Sequence, residues 1–240
     1  MAGAAGRAYL ALMMDLAADA GLGWAEAAEA RVLAAALPLA PRLGCGGALV
    51  RSAARAAALS EADAALLLPN GARDLAALLF RRHDAGALAA LAAVDSSGLK
   101  VRERIRRGVE ARVEAAATDE PAVRRCTAFL ARPGNLALGA SLLWASADAI
   151  WRWAGDTATD ENHYTKRLLL SEMLASTLAV RLASGPAAAG EHLARRIEGV
   201  MAFEQWKAGA PSPSALMDAA AAALGRLRYG ASDASAHSPP

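Results

Sequence analysis

The side chains that could take part in chemistry lie close together in this sequence. Residues 151–167 read WRWAGDTATDENHYTKR and hold two Trp, one Tyr, one His, three acids and three bases. Much of the remaining chain consists of Ala, Leu and Arg. Catalysis, metal binding and partner recognition would each explain such a cluster, and each makes a different demand on residue spacing.

Metal binding and catalysis both lack the residues that they need. The chain has four His, whereas helical bundles that hold two irons use carboxylates together with two Glu-x-x-His pairs. The nearest approach is a single Asp160-x-x-His163, because His83 and His192 have no acid three positions before them. No local spacing pairs a Cys or Ser with a His as nucleophile and base. We therefore expect no enzyme activity, with no catalytic residue, no metal site and no cofactor.

Nucleotide binding and disulfide bonding are also not indicated. The motifs GxGxxG and GxxxxGK[ST], whose glycines let the backbone cradle phosphates, are absent. The GCGG at 44–47 follows no strand and indicates a loop. Cys45 and Cys126 lie far apart in the sequence and form no CxxC, which favours free thiols in a reducing compartment.

One helix face in the same region combines two large aromatic residues with an acid. Trp144, Asp148 and Trp151 are spaced i, i+4, i+7, so they share one side of a helix. Asp148 could accept a hydrogen bond from a Tyr, Trp or Arg in the core, which is a structural role. It could instead line a mostly apolar cavity, for which the many Ala residues leave room.

The elements that position these residues are predicted to be helices throughout. Val, Ile and Thr are sparse, and no stretch alternates between apolar and polar residues as a half-buried strand would. We predict an all-α fold whose helices are separated by Gly, Pro and Ser breakers. The expected helices are 26–40, 48–58, 61–67 with Ser60 as its cap, 72–93, 99–117, 119–131, 136–153, 161–184, 188–207 and 214–228.

These helices predict four parts of the chain. They are an N-terminal extension at 1–25, a helix-turn-helix-like head at 26–67, a helical body at 68–208, and a C-terminal segment at 209–240. The C-terminal segment combines a linker, an amphipathic helix and a disordered tail. Within the body, helix 161–184 carries apolar residues all round, which is typical of a buried central helix.

The head does not have the residues of a DNA reader. The second helix of a helix-turn-helix meets the major groove beside phosphates, and here that helix is SEADAALLL at 60–68. Glu61 and Asp63 would repel phosphates, and no Lys or Arg accompanies them. The sequence therefore predicts no binding to nucleic acid.

Membrane contact is predicted at the C-terminus rather than through a spanning helix. No uninterrupted apolar run reaches the roughly 18–20 residues that a span needs, and the acids of the N-terminus argue against a signal peptide. Helix 214–228 follows a Pro/Ser linker and has an apolar stripe, which is the pattern of a helix lying on a membrane or a partner. Packing of this helix on the body is the alternative. The stripe consists of Leu216, Met217, Leu224 and Leu227.

With these residues identified, the chain over about 27–229 resembles a known family. This is the lipid-binding accessory protein family of ubiquinone biosynthesis, the ninth component of the coenzyme Q pathway, in its alphaproteobacterial form. The resemblance is carried by the segment 142–178, in which a Trp is followed by Asp-x-x-Trp, Gly-Asp, Thr-Asp and Tyr-Thr-Lys-Arg. The matching residues are Trp144, Asp148, Trp151, Gly155, Asp156, Thr159, Asp160, Tyr164, Thr165, Lys166 and Arg167.

The resemblance implies a fold and a function. The fold is that of TetR-type regulators, with a helix-turn-helix head, a ligand-binding body and a C-terminal amphipathic helix. The function is non-enzymatic: binding of an isoprenoid quinone intermediate or a phospholipid, and its presentation to a di-iron hydroxylase that acts on demethoxyubiquinone. A homodimer is implied, located in the cytoplasm and peripheral on the inner membrane, or on the matrix side in a eukaryote. A ligand-responsive transcriptional regulator of the TetR type is the alternative.

The resemblance also implies which residues bind. Four family positions that are often aromatic are Glu161, His163, Leu174 and Arg181 here, which indicates a changed pocket or partner surface. The expected partner-binding residues are His163, Tyr164, Lys166 and Arg167. The expected membrane-binding residues are those of the C-terminal stripe. The expected lipid-binding residues are Leu136, Leu143, Trp144, Asp148, Trp151, Leu169, Met173 and Met201.

Overall fold

The computed structural model describes residues 23–156 and 161–209. All regular secondary structure in these ranges is helical, and they contain no strand, so the all-α fold class is confirmed. The likeness to TetR-type regulators stays a prediction. The chain divides into two compact units, Met1–Ala194 and Arg195–Pro240. The N-terminal extension up to residue 22 and the predicted helix 214–228, with its membrane-binding stripe, lie outside the described residues.

The observed helices follow the predicted order closely. The breakers mark most of the helix ends, and the Ser60 side chain accepts a hydrogen bond from the Asp63 amide at 3.1 Å, so the predicted cap of the fourth helix is confirmed. A short 3₁₀ turn, Pro133–Asn135, precedes the eighth helix. The helices are α1 (23–36), α2 (Ala40–Leu43), α3 (Gly47–Ala56), α4 (Glu61–Leu67), α5 (Ala72–Ala92), α6 (Val101–Ala117), α7 (Glu120–Leu130), α8 (Leu136–Trp153) and α9 (Glu161–Gly209).

One predicted helix is wrong in its ending. The sequence was expected to form one helix over 26–40 that stops at Pro41, but α1 ends at residue 36 and Pro41 lies in the first turn of α2. Proline lacks an amide hydrogen, so it interrupts a helix interior yet fits a first turn. Pro38 therefore breaks the predicted helix, while Pro41 begins the next one.

The centre of the first unit is built from α5, α6 and α8, which pack on one another. Helices α6 and α8 approach closely at Gly108. A Cβ atom at this position would lie 2.3 Å from Cγ2 of the buried Ile150, so only glycine allows the observed spacing. Helix α7 packs against α2 and α8, and α3 packs against α5.

Helix α9 differs from its prediction in two ways. Helices 161–184 and 188–207 join at Gly185, whose φ of 86° and ψ of −177° break the helical path just before Pro186. The expectation that 161–184 is buried all round is wrong. Leu168 is 65% exposed, whereas Leu170 on the other side is buried, because the body covers only one face of this helix.

Within residues 23–156 and 161–209, one helical stretch meets the length and composition of a membrane span. It is His163–Ala202, with a mean hydropathy of 1.3 over its most apolar window, and a third of that window is buried in the protein. This stretch contains no uninterrupted apolar run of that length, which is why it was not predicted; its average hydropathy is high although it includes a few charged residues.

Candidate functional site

An apolar groove lies between α7, α8 and the first half of α9. It encloses about 530 Å³, which lies within the usual range for sites that bind small molecules. Phe80 of α5 also lines the groove. The others are Arg124, Thr127, Leu130, Ala131, Leu136, Gly139, Ala140, Leu143, Ala175, Leu178, Ala179, Leu182 and Ala183.

The groove exists because its walls carry small side chains. On α8 the lining residues Leu136, Gly139, Ala140 and Leu143 have the spacing i, i+3, i+4, i+7, so they form one helix face. On α9 the lining residues from Ala175 to Ala183 repeat this spacing. Two facing stripes rich in Gly and Ala leave a channel where Leu or Phe would fill the space.

The polar groups of the groove are already engaged. Thr127 donates its hydroxyl to the Val123 carbonyl at 2.9 Å. Arg124 pairs with Glu120 at 2.7 Å and also donates to the carbonyl of Leu182 across the groove. No carboxylate, Cys or His lines the groove. The arrangement suits binding of an apolar molecule.

A buried polar network lies next to the groove. The Asp84 carboxylate accepts hydrogen bonds from Arg112 Nε at 2.5 Å and from Ser146 Oγ at 2.6 Å, so it joins α5, α6 and α8. Burial lowers the pKa of Arg112 below its usual value, and the opposite charge of Asp84 counteracts this. Arginine nevertheless stays protonated in proteins, so the network contains one ion pair.

The chemically rich stretch 151–167 forms a second polar network, between the end of α8 and the start of α9. The Arg167 guanidinium donates from Nε to Asp148 at 2.6 Å and from Nη1 to Asp156 at 3.1 Å. Lys166 pairs with Asp156 at 2.7 Å, and Arg152 pairs with Asp148 at 2.8 Å. We call these five residues the α8–α9 lock, because they tie two walls of the groove together.

The electrostatics of the lock favour the charged form of the Asp156 carboxylate. Burial alone would raise the pKa of Asp156, but hydrogen bonds from Lys166 and Arg167 outweigh it and lower the pKa below its ordinary value. The side chain of Arg167 is 2% exposed and that of Asp156 is 7% exposed. Trp151 supports the same contact by donating its indole N–H to the Lys166 carbonyl at 3.1 Å.

The predicted lipid-binding residues separate into different places. Leu136 and Leu143 line the groove, whereas Asp148 and Trp151 take part in the contacts of the lock. The structural interpretation of Asp148 is therefore the observed one. Trp144 lies 6.1 Å from the Tyr164 ring. Leu169 is partly exposed, Met173 is buried without lining the groove, and Met201 is an exposed residue of the second unit.

The predicted partner patch is only partly on the surface. Tyr164 is 65% exposed, and His163 contacts it edge to face at 5.2 Å between ring centres. Lys166 is partly exposed but is held by Asp156. Arg167 is buried, so its side chain does not lie on the surface beside Tyr164, and its part in partner binding stays a prediction. Two acids, Asp148 and Asp156, draw its guanidinium inward.

Most residues of the groove were not predicted. Large aromatic residues do not mark the groove, which is defined by small residues such as Gly139, Ala140 and Ala179. The signal that could have found them is the matching i, i+3, i+4, i+7 stripe of small residues on two helices. In the described part of the chain, no three His, Cys, Asp or Glu side chains come together where they could hold a metal ion.

Comparison with known protein families finds a match to the part of the chain that contains α8 and most of α9. The COQ9 family model matches residues 136–204, which run from the start of α8 into the second half of α9 and include the complete lock. No curated protein matches the chain. Residues 136–204 are therefore similar to the COQ9 family, which supports a role in ubiquinone biosynthesis.

Proposed function

We propose that the protein is a non-enzymatic lipid-binding accessory protein, which holds an isoprenoid quinone intermediate and presents it to a membrane-associated di-iron hydroxylase. The observation that carries the proposal is the apolar groove of about 530 Å³, nine of whose fourteen lining residues lie in the region that matches the family. Its walls contribute small apolar side chains, and its polar groups are satisfied internally. A prenyl chain is the kind of ligand that such a surface binds.

The energetics of the groove are sufficient for this role. Burial of apolar groups contributes about 0.8 kcal/mol for each methylene, so the three prenyl units of a farnesyl chain would contribute about 12 kcal/mol before the cost of association. An association cost of about 4 kcal/mol or more leaves about 8 kcal/mol or less, which corresponds to micromolar affinity or weaker. Such affinity permits a ligand to be delivered as well as held.

The partner and the membrane are part of the same proposal. Tyr164 and Leu168 are one helical turn apart on α9, and both are 65% exposed. Tyr is enriched among the residues that anchor protein interfaces, and adjacent exposed apolar side chains are typical of interaction sites, which supports docking of the hydroxylase here. The stripe Leu216, Met217, Leu224 and Leu227 supports reversible attachment to the inner membrane.

A pair of Trp substitutions on α8 tests ligand binding. Ala140→Trp places a large side chain in the groove, while Ala145→Trp places the same side chain on an exposed, non-lining position of the same helix. We expect a fluorescent farnesyl probe to bind the wild type and Ala145→Trp at micromolar concentration and to bind Ala140→Trp at least tenfold more weakly. Equal binding of the probe to all three proteins would show that the prenyl chain does not bind in the groove.

A further inference from the structure

The two cysteines of the chain meet in the interior of the first unit. Cys45 lies in the loop between α2 and α3, and Cys126 lies in the middle of α7. Helix α2 packs on α7, where Arg125 donates from Nε to the Pro41 carbonyl at 3.1 Å, and the two thiols interact directly there. The sequence contains no other Cys, so a disulfide within one molecule can only join these two.

The cysteine pair, Cys45 and Cys126, is buried but has space beside it. The two residues are 6% and 3% exposed. Cys126 borders a void of about 10 Å³, which is room for about one water molecule. A Cβ atom added to Gly44 or Gly46, the neighbours of Cys45, would meet no atom within 4 Å. The loop therefore has open space on both sides of Cys45, and a reactant as small as a peroxide can approach.

The surroundings make the two thiols unequal. The contact with Cys126 lowers the pKa of Cys45 below its usual value, and the positive charge of Arg132 adds to this effect, against the opposing effect of burial. The contact with Cys45 raises the pKa of Cys126 above its usual value, and burial acts in the same direction. Because the thiolate and not the thiol is the nucleophile, Cys45 should react first with an oxidant.

We propose that Cys45 and Cys126 form a reversible disulfide when the protein meets hydrogen peroxide, and that this disulfide fixes the α2–α3 loop to α7. The Cys45 thiolate attacks one peroxide oxygen, so that an S–O bond forms and the O–O bond breaks. The leaving hydroxide takes up the proton that Cys45 released and becomes water. The Cys126 sulfur then attacks the sulfur of the Cys45 sulfenic acid, so that the S–S bond forms and the S–O bond breaks.

The second step balances the reaction. The hydroxide that leaves Cys45 takes the proton of the Cys126 thiol and becomes a second water molecule. The two sulfurs together lose two electrons, and the peroxide is reduced to two molecules of water. An external thiol reverses the change by thiol–disulfide exchange.

The disulfide would connect the predicted head to one wall of the groove. Cys126 lies between Arg124 and Thr127, which both line the groove, while Cys45 belongs to the head. A cross-link restricts the unfolded chain, and the restriction grows with the length of the loop that it closes. Residues 45 and 126 close a long loop, so the oxidised protein should be more stable than the reduced one. This inference does not rest on the proposed function, because it concerns the fold and not a ligand.

Mass spectrometry of the intact full chain before and after treatment with hydrogen peroxide tests the proposal. We expect the wild type to lose two hydrogen atoms, and a digest to contain one product in which Cys45 and Cys126 are linked. Dithiothreitol should restore the original mass. The oxidised protein should melt at least about 4 °C above the reduced protein, as a disulfide of ordinary effect predicts for a chain of this size.

Two single variants separate the roles of the thiols. Cys126→Ala keeps the more reactive thiol, so Cys45 should gain oxygen without forming a link within the molecule. Cys45→Ala keeps only the thiol whose pKa is raised, so it should react with peroxide at least about tenfold more slowly. Neither variant should melt at a higher temperature after oxidation.

Several results would overturn the proposal. Two thiols that stay free in peroxide-treated wild type, or a disulfide that joins two molecules through Cys45, would show that the cysteine pair does not close. Faster oxidation of Cys45→Ala than of Cys126→Ala would contradict the order of reaction. A linked protein with an unchanged melting temperature would show that the disulfide does not fix the loop to α7. If a variant fails to fold, the digest of the wild type alone decides whether the link forms.

Discussion

The Arg167→Met variant should destabilise the protein strongly although the residue lies in a stretch rich in surface-type side chains. Removal of one partner from a buried ion pair costs about 3–5 kcal/mol, because it leaves a buried charge uncompensated. Arg167 serves two carboxylates, but Asp148 keeps Arg152 at 2.8 Å and Asp156 keeps Lys166 at 2.7 Å. We therefore expect a loss near the lower limit, about 3 kcal/mol.

A thermal melt followed by circular dichroism measures this loss. In a protein of this size each kcal/mol lowers the melting temperature by about 2–4 °C, so Arg167→Met should melt about 6–12 °C lower. Arg152→Met is the matched control, because Arg152 contacts the same Asp148 but its side chain is 74% exposed. An exposed pair contributes about 0–1 kcal/mol. Similar losses in both variants, or less than about 1 kcal/mol for Arg167→Met, would refute the role of burial in the lock.

Three further results are expected. The folded protein holds His83 neutral, because burial and the charge of Arg112 lower its pKa to about 4 against a weaker opposing effect of Asp119. As the pH falls, the unfolded chain therefore binds a proton at His83 before the folded protein does. The free energy of unfolding should fall by about 3 kcal/mol between about pH 6.5 and about pH 4. Urea titrations should show this fall, and His83→Gln should remove it. Tyr164→Ala should melt within a few degrees of the wild type, since the side chain is exposed, yet bind the hydroxylase about thirtyfold more weakly in a pull-down; a large loss of stability with undiminished binding would make Tyr164 a packing residue. Deletion of residues 211–240 should abolish flotation with anionic liposomes, and unchanged flotation would place membrane contact elsewhere.

The order of the helices could be predicted because neighbouring residues largely determine where each helix begins and ends. Ala- and Leu-rich segments favour helix at each position, and Gly, Pro and Ser mark where the helices stop. Ser60 satisfies a free amide of its own helix, so neighbouring residues alone determine the cap. The predicted end of α1 differs from the observed one for a similarly local reason, because Pro38 and not Pro41 stops this helix.

The position of each side chain in the site could not be predicted in the same way. Arg167 looks like a surface residue in the sequence, and only the approach of Asp148 on α8 and of Asp156 after the end of α8 makes its burial possible. The exposure of Leu168 depends on which face of α9 the body covers. The groove is a property of two facing helices, and neither the α8 nor the α9 stripe encloses space alone.

The structure divides the motif that carried the family resemblance into two roles. Asp148, Asp156, Lys166 and Arg167 form ion pairs that join α8 to α9, so their first role is to hold the groove walls together. Tyr164 remains on the surface and is the motif residue best placed for a partner. A variant in the lock should therefore lose stability and ligand together, whereas a variant at Tyr164 should lose only the partner.

Extraction of lipid from the purified protein, followed by mass spectrometry, tests most directly whether the groove holds a ubiquinone precursor. Wild type and Ala145→Trp should release an isoprenoid quinone or phenol in near-stoichiometric amount, and Ala140→Trp should release at least tenfold less. Equal amounts from Ala140→Trp and the wild type, or no isoprenoid from a folded wild-type protein made in cells that synthesise ubiquinone, would contradict this function for the groove.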